Sequence, residues 1–230
     1  MAVSLEQMIK DLTDWGIYLP LSASQEPFAY AVSHQAMGAL TEGELQALLE
    51  GLPESAQKRS RLERVVYEPL TLLDHQPYDP TTIRITDVSD HAYESVGKVL
   101  AGWQFAHGLA HTIIDPHATL HIADRGMIAE EDFLAEYAAI SEEYGPISRH
   151  SAAYWENGHP KSDHARIEEL AEGISAYLLG FSYADDYARR RIPFLRAEGT
   201  DADLKGMLEQ YLTAERVVND QRVARYAHAT

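Results

Sequence analysis

A mainly helical α+β domain is what this chain predicts, and three observations predict it. Apolar residues recur at helical spacing in successive segments, most clearly at Val96, Val99, Leu100, Trp103, Ala106, Ala110, Ile113 and Ile114. One short stretch, Thr82-Ile83-Arg84-Ile85-Thr86, alternates with the period of two expected of a half-buried strand. Finally, 230 residues with 45% apolar and 24% charged content suffice for a full hydrophobic core. The organisation expected is a helical N-terminal region over 1–66 and a main domain over 67–230, packed as one unit.

In chain order, residues 4–14 read as a short amphipathic helix, and Pro20, Ser22, Ser24 and Pro27 mark a loop after it. Thr41 with Glu44 three residues on is a reciprocal cap that opens a helix, and Pro53 follows its end. A charged helix is expected over 54–66. Pro69, Pro77 and Pro80 forbid helix in the next stretch, and a small antiparallel sheet is expected around 82–87. The long apolar helix then runs from about Tyr93 to Asp115-Pro116. Glu130, Glu131 and Asp132 sit where the positive end of a helix dipole favours them, at the start of a helix over 130–141 that Tyr144-Gly145-Pro146 breaks. Ser162 or Asp163 can cap a third helix, with Ile167, Leu170, Ala171, Ile174 and Leu178 as its core stripe. Asp201 caps a last helix reaching the Tyr226 region.

Composition excludes several classes. Nineteen basic against 36 acidic residues give a formal charge of −17, which opposes binding to phosphate backbones and anionic membranes. Neither nucleic acid nor membrane is an expected partner. The chain has no cysteine, so any metal site must be built from His, Glu and Asp. No apolar run approaches the roughly 20 residues needed to cross a bilayer, and a cytoplasmic location is the simplest expectation. No GxSxG, GxGxxG or GxxxxGK[ST] signature is present, and a thiol nucleophile is excluded.

One pair of residues carries chemistry. His107-Gly108-Leu109-Ala110-His111 sets two imidazoles one helical turn apart on one face, within reach of a single ion. Zinc peptidases place a glutamate directly after the first of these histidines, where it takes the proton of the attacking water. Gly108 stands there instead. Glycine inside a helix costs about 1 kcal/mol relative to alanine, which points to close packing or a lost constraint.

The stretch Phe105-Ala106-His107-Gly108-Leu109-Ala110-His111-Thr112-Ile113-Ile114-Asp115 resembles the active-site helix of the zincins. Tyr144-Gly145-Pro146-Ile147-Ser148 resembles the Tyr-Gly-x-Thr stretch of anthrax lethal factor-like and Pro-Pro endopeptidase-like metallopeptidases. Glu168-Glu169-Leu170-Ala171-Glu172-Gly173-Ile174 resembles their third-ligand helix, of form Glu-x-x-Ala-Glu-x-Phe. The resemblance spans about residues 80–180, and it implies a zincin-like domain with a small sheet and a long active-site helix. It further implies zinc held by His107, His111 and Glu168, Glu172 orienting a ligand histidine, Tyr144 bonding the oxyanion, and a peptide or protein as substrate or partner. This chain departs from the pattern at Gly108, and in a longer stretch between Tyr144 and Glu168, for which Tyr154 is a substitute. A missing base removes roughly 10² to 10⁴-fold in rate, so the resemblance implies an impaired or inactive metallopeptidase, or a pseudoenzyme that keeps the cleft for binding.

Other readings compete. His117 lies ten residues after His107, the third-histidine spacing of metzincin peptidases, although Ile114 occupies the place of their turning glycine; His117 is the runner-up ligand and His121 a more distant one. Glu168 and Glu172 also read as the solvated edge of an amphipathic helix. Trp103 and Phe105 read as core, and Tyr144, Tyr154 and Trp155 either line a cleft or staple a loop. Arg189-Arg190-Arg191 reads as pairing with neighbouring carboxylates. His91, His150, His159 and His164 have no recognisable partner spacing, and a metal-free helical interaction protein is the reading left if the histidines are structural.

Overall fold

The computed structural model describes residues 17–20, 27–31, 42–68, 80–86, 94–179 and 202–217. The helix expected over 4–14, His91 and the arginines at 189–191 lie outside them; the last helix, expected to reach the Tyr226 region, instead ends at Thr213, because Glu215-Arg216 pairs as a strand. The described elements, in chain order, are β1 (Ile17–Pro20), β2 (Pro27–Ala31), α1 (Glu42–Glu50), α2 (Glu54–Arg59), β3 (Arg64–Glu68), β4 (Thr82–Thr86) and α3 (Glu94–Ile113). There follow β5 (Thr119–Ile122), β6 (Gly126–Ala129), α4 (Glu130–Tyr144), α5 (Arg149–Ala152), β7 (Trp155–Glu156), β8 (His159–Pro160), α6 (Asp163–Leu179), α7 (Ala202–Thr213) and β9 (Glu215–Arg216). The protein is mainly helical with small sheets, an α+β arrangement. No described helix is long and apolar enough to cross a membrane.

Two further expectations are corrected here. The charged helix predicted over 54–66 stops at Arg59, because Ser60 turns extended (φ −62°, ψ 138°) and the β-branched pair Val65-Val66 enters a strand. The N-terminal region is therefore not wholly helical, and residue 66 lies inside β3. The sheet around β4 is also not antiparallel. Its order is β1-β2-β3-β4, with β1 and β2 antiparallel but β3 parallel to both β2 and β4, in register Arg64↔Thr82 to Glu68↔Thr86. Residues 69–81 are long enough for the crossover of a dozen or more that a parallel pair demands.

The alternation read in β4 has a direct packing consequence. Ile83 and Ile85 are buried, while Arg84 between them is half-buried. Their face receives α3, whose Phe105, Leu109 and Ile113 are fully buried. On its other flank α3 packs along α6, and α6 in turn meets α4, so Leu170 and Ile174 join Phe133 and Tyr137 in one continuous core. Leu45, Leu49 and Leu52 of the α1 region extend that core, as do Leu208, Tyr211 and Leu212 of α7. Burial of each such side chain contributes about 1.5–3 kcal/mol.

The C-terminus of α3 is held by guanidinium groups. Arg61 donates to the carbonyls of His111, Thr112 and Ile114 (3.3, 3.2 and 2.6 Å), and Arg216 donates to that of Ile113 (3.0 Å). These satisfy the carbonyls a helix leaves unpaired and oppose its negative end. Asp115-Pro116 then turns the chain into the antiparallel β5–β6 hairpin, to which β9 adds a third strand. A second, smaller hairpin, β7–β8, turns at Asn157-Gly158, both with positive φ (52° and 84°), the conformation an Asn-Gly pair adopts most readily.

Candidate metal centre

Four imidazoles converge on one carboxylate. Glu168, in the second turn of α6, is only 4% exposed. Its Oε2 lies 3.3 Å from Nε2 of His107 and 3.1 Å from Nε2 of His150; its Oε1 lies 3.4 Å from Nε2 of His111 and 3.3 Å from Nε2 of His164. His107 and His111 stand one turn apart on one face of α3 with their Nε2 atoms 2.9 Å apart. The other nitrogen of His107, Nδ1, meets Oε1 of the fully buried Glu172 at 2.6 Å, and Trp103 Nε1–H donates to both oxygens of Glu172 at 3.1 Å.

Local sequence explains each placement. His107 and His111 share a face of α3, as do His164, Glu168 and Glu172 on α6, all at four-residue spacing. Two glycines allow close approach on either side. A Cβ at Gly108 would come within 2.7 Å of Cγ2 of the buried Ile83, so α3 rests directly on β4. A Cβ at Gly173 would strike the hydroxyl of Tyr137, so α6 rests on α4. His150 comes from α5, a single turn seated by a reciprocal cap between the buried Ser148 and Ser151. Immediately before it, Ile147 N–H donates to the buried carboxylate of Glu169 at 3.1 Å.

Hydrogen-bond accounting singles out the centre of this group. A proton between His107 Nδ1 and Glu172 leaves the neutral His107 with a lone pair at Nε2, facing the Nε2 of His111 and an oxygen of Glu168. The short contacts among these atoms are reconciled either by the Nε2–H tautomer of His111 donating to His107 or by a metal ion shared among the three. Without a metal, burial works to lower the pKa of His107, but hydrogen bonds to Glu168 and Glu172 and their charges outweigh it and raise it to about 9. His111 is lowered, first by burial. Burial alone would raise Glu168, yet its histidine partners hold it well below the usual carboxylate range.

The donor set fits a metal ion. His107, His150 and Glu168 each offer one ligand atom, all within 4.8 Å of one another, and so can hold one. Zinc at about 2.0–2.2 Å from N and O ligands in a tetrahedron sets neighbouring ligand atoms roughly 3.3 Å apart, and the 2.9–3.4 Å separations among the imidazole nitrogens and the Glu168 carboxylate straddle that value.

The structure thus brings together His107, His111, Glu168 and Glu172, and it adds two histidines that sequence reasoning left without partners. The pairing of His164 with Glu168 was legible as an i, i+4 spacing on one helix; no spacing announces His150, eighteen residues before Glu168. Glu168, Glu169 and Glu172 are buried, not the solvated helix edge that was one reading. Trp103 is a partner of Glu172 more than a core residue, whereas Phe105 is fully buried as read. Trp155 is buried, and His159 pairs with Glu142 at 3.0 Å.

Three named candidates are placed elsewhere. Tyr144 ends α4, 38% exposed, and Gly145-Pro146 turns the chain before α5; the ring beside the imidazoles is that of Tyr154, 5.5 Å from His150 and 5.2 Å from His164. Burial and the charge of Glu168 both raise the Tyr154 pKa. His117 is exposed, with its backbone N–H on Asp115 (3.3 Å), because the Asp115-Pro116 turn leads into a hairpin that packs on α7; His121 is exposed on β5.

No family model, no curated protein and no solved structure matches the chain.

Proposed function

We propose that this chain is a zincin-like domain of the anthrax lethal factor-like and Pro-Pro endopeptidase-like type, which binds zinc but is impaired in peptide hydrolysis. The observation that carries the reading is the Glu168 carboxylate set 3.3 and 3.4 Å from the Nε2 atoms of His107 and His111, with Glu172 behind His107. These are the residues the sequence resemblance implies as ligands and as the carboxylate that orients one of them. His107, His111 or His150, and Glu168 would hold the ion. A bound zinc would supply Lewis acidity. Glu172 fixes the tautomer of His107, and Trp103 in turn fixes Glu172.

Impairment follows from packing. A Cβ at 108 would lie 2.7 Å from Cγ2 of Ile83, so a glutamate there requires that buried side chain or the helix to shift, which supports the reading that the base is absent for packing reasons. This favours a second reading, a pseudoenzyme whose former substrate cleft holds a peptide or protein partner. The test has two parts. Elemental analysis after zinc-replete expression should find about one zinc per chain, and its loss in His107→Ala and Glu168→Ala; a metal-free wild type would sink both readings. Cleavage of a mixed peptide library should then be absent or marginal in the zinc-loaded wild type. Turnover typical of a peptidase would show that another group serves as base.

A further inference from the structure

Resting on the metal-binding reading above, we propose that His150 supplies a fourth protein ligand and closes the centre, so that the ion is held with no position open to water or substrate. Zinc sites divide on this point. Structural sites use four protein ligands, whereas catalytic ones use three and keep the fourth position free. Here the donors outnumber the three a catalytic site uses: Nε2 of His107, His111, His150 and His164 all stand 3.1–3.4 Å from the Glu168 carboxylate, and of the last two His150 is the less exposed and the one whose ligand atom groups with those of His107 and Glu168.

His150 is built into place, not brushed against the site by a loose loop. Its ring meets His107 edge-on at 4.9 Å and Trp103 edge-on at 5.5 Å. The Ser148–Ser151 cap fixes the single turn that carries it, and Glu169, the residue next to Glu168, anchors that turn through Ile147. One helical segment therefore positions both the carboxylate ligand and the arm that brings His150. Side-chain exposure orders the donors: 5% for Glu168, 13% for His111, 16% for His107 and 35% for His150. His164, 60% exposed, lies outside this set, and within it His150 is the imidazole nearest solvent, on the side from which a small molecule would approach. An ion so enclosed stabilises the junction of α3, α5 and α6 and is buffered or stored, and its Lewis acidity has no outlet.

Cobalt(II) is the probe, because its visible absorption reports ligand number and exchange, and azide is the small ligand that tests for an open position. The wild-type full chain should take up cobalt with a tetrahedral spectrum that azide does not alter. His150→Ala should still take up cobalt, roughly ten- to a hundredfold more weakly, and its spectrum should now respond to azide. An azide-sensitive wild-type spectrum overturns the proposal without recourse to any variant. So does a His150→Ala protein, folded by circular dichroism, whose affinity and spectrum match the wild type. Absence of any cobalt or zinc uptake by the wild type overturns the metal reading itself, and is told apart by the missing spectrum.

Discussion

Glu168 and Glu130 are both carboxylates withdrawn from solvent, and each stands at a junction of three or more elements, yet their partners differ in kind. Around Glu168 stand imidazoles, which can yield a proton and offer a lone pair. Around Glu130 stand groups that donate to it or oppose its charge and offer no ligand nitrogen: Tyr211 O–H at 2.5 Å, the Asp115 N–H at 2.9 Å, and the charges of Arg59 and Arg216. The electrostatic outcomes are opposite, for burial raises the pKa of Glu130 while its histidines lower that of Glu168. The Glu130 cluster ties α2, α4, α7 and β9 together, with Arg59 stacked 4.4 Å over the Tyr211 ring and donating to its carbonyl. A buried carboxylate is thus no sign of a metal centre; the chemistry of its neighbours decides.

That contrast is open to attack from both sides. Glu168→Ala should remove zinc binding by more than roughly a hundredfold, whereas Glu130→Ala should keep one zinc per chain and instead lose about 2–4 kcal/mol of stability, as Tyr211 and the Asp115 N–H lose their acceptor and Arg59 and Arg216 lose a nearby negative charge. Dialysis against zinc and denaturant melts on both variants would check the pair, and a reversal of the two phenotypes would break the distinction. Glu172→Gln, which keeps the shape but weakens the hold on His107 Nδ1, should lower zinc affinity roughly ten- to a hundredfold, measured by chelator competition. Gly108→Ala should cost about 1–3 kcal/mol by overpacking against Cγ2 and Cγ1 of Ile83, and Ile83→Ala, which removes both atoms, should cost less in that chain than in the wild type; equal melting temperatures for wild type and Gly108→Ala would show that the contact yields freely.

A subtler difference lies in pH. In metal-stripped protein the pKa of His107 is raised to about 9, above its unfolded value near 6.5. Its contribution to stability is accordingly complete below that unfolded value and is lost as pH rises through about 9. Zinc must displace the same proton, so zinc affinity should climb over that window; calorimetric titrations at stepped pH would register both, and a flat affinity would mean His107 is not a ligand. The smallest effect is expected of His117→Ala, which should leave zinc content and affinity unchanged.

How much of this was legible in the sequence depended on the range of the interaction. Helical periodicity marked α3, α4 and α6, and alternation marked β4, because a single element's own packing face writes those patterns. The i, i+4 rule likewise marked His107 with His111. Strand pairing was read wrongly, since parallel or antiparallel return is decided by the path of a connection and not by the strand. Asn157-Gly158 was a readable hairpin signal that the abundance of polar and aromatic neighbours concealed. His150 was out of reach altogether: its place follows from Glu169 anchoring Ile147, a contact between segments twenty-two residues apart. Burial of Glu168 and Glu172 was equally illegible, because charge on a helix reads as solvated until its partners are known.

The seating of Gly108 on Ile83 has a consequence for the sequences reachable from this one. A glutamate introduced at 108 alone meets the sheet at the 2.7 Å contact, and trimming Ile83 first to alanine empties a core position at about 2–5 kcal/mol. Either order passes through a chain less stable than its parent, against a total that for a domain of this kind is about 5–15 kcal/mol. Placing a carboxylate at position 108 is therefore at least a two-step path across a valley, and libraries that vary position 108 singly would search the wrong neighbourhood.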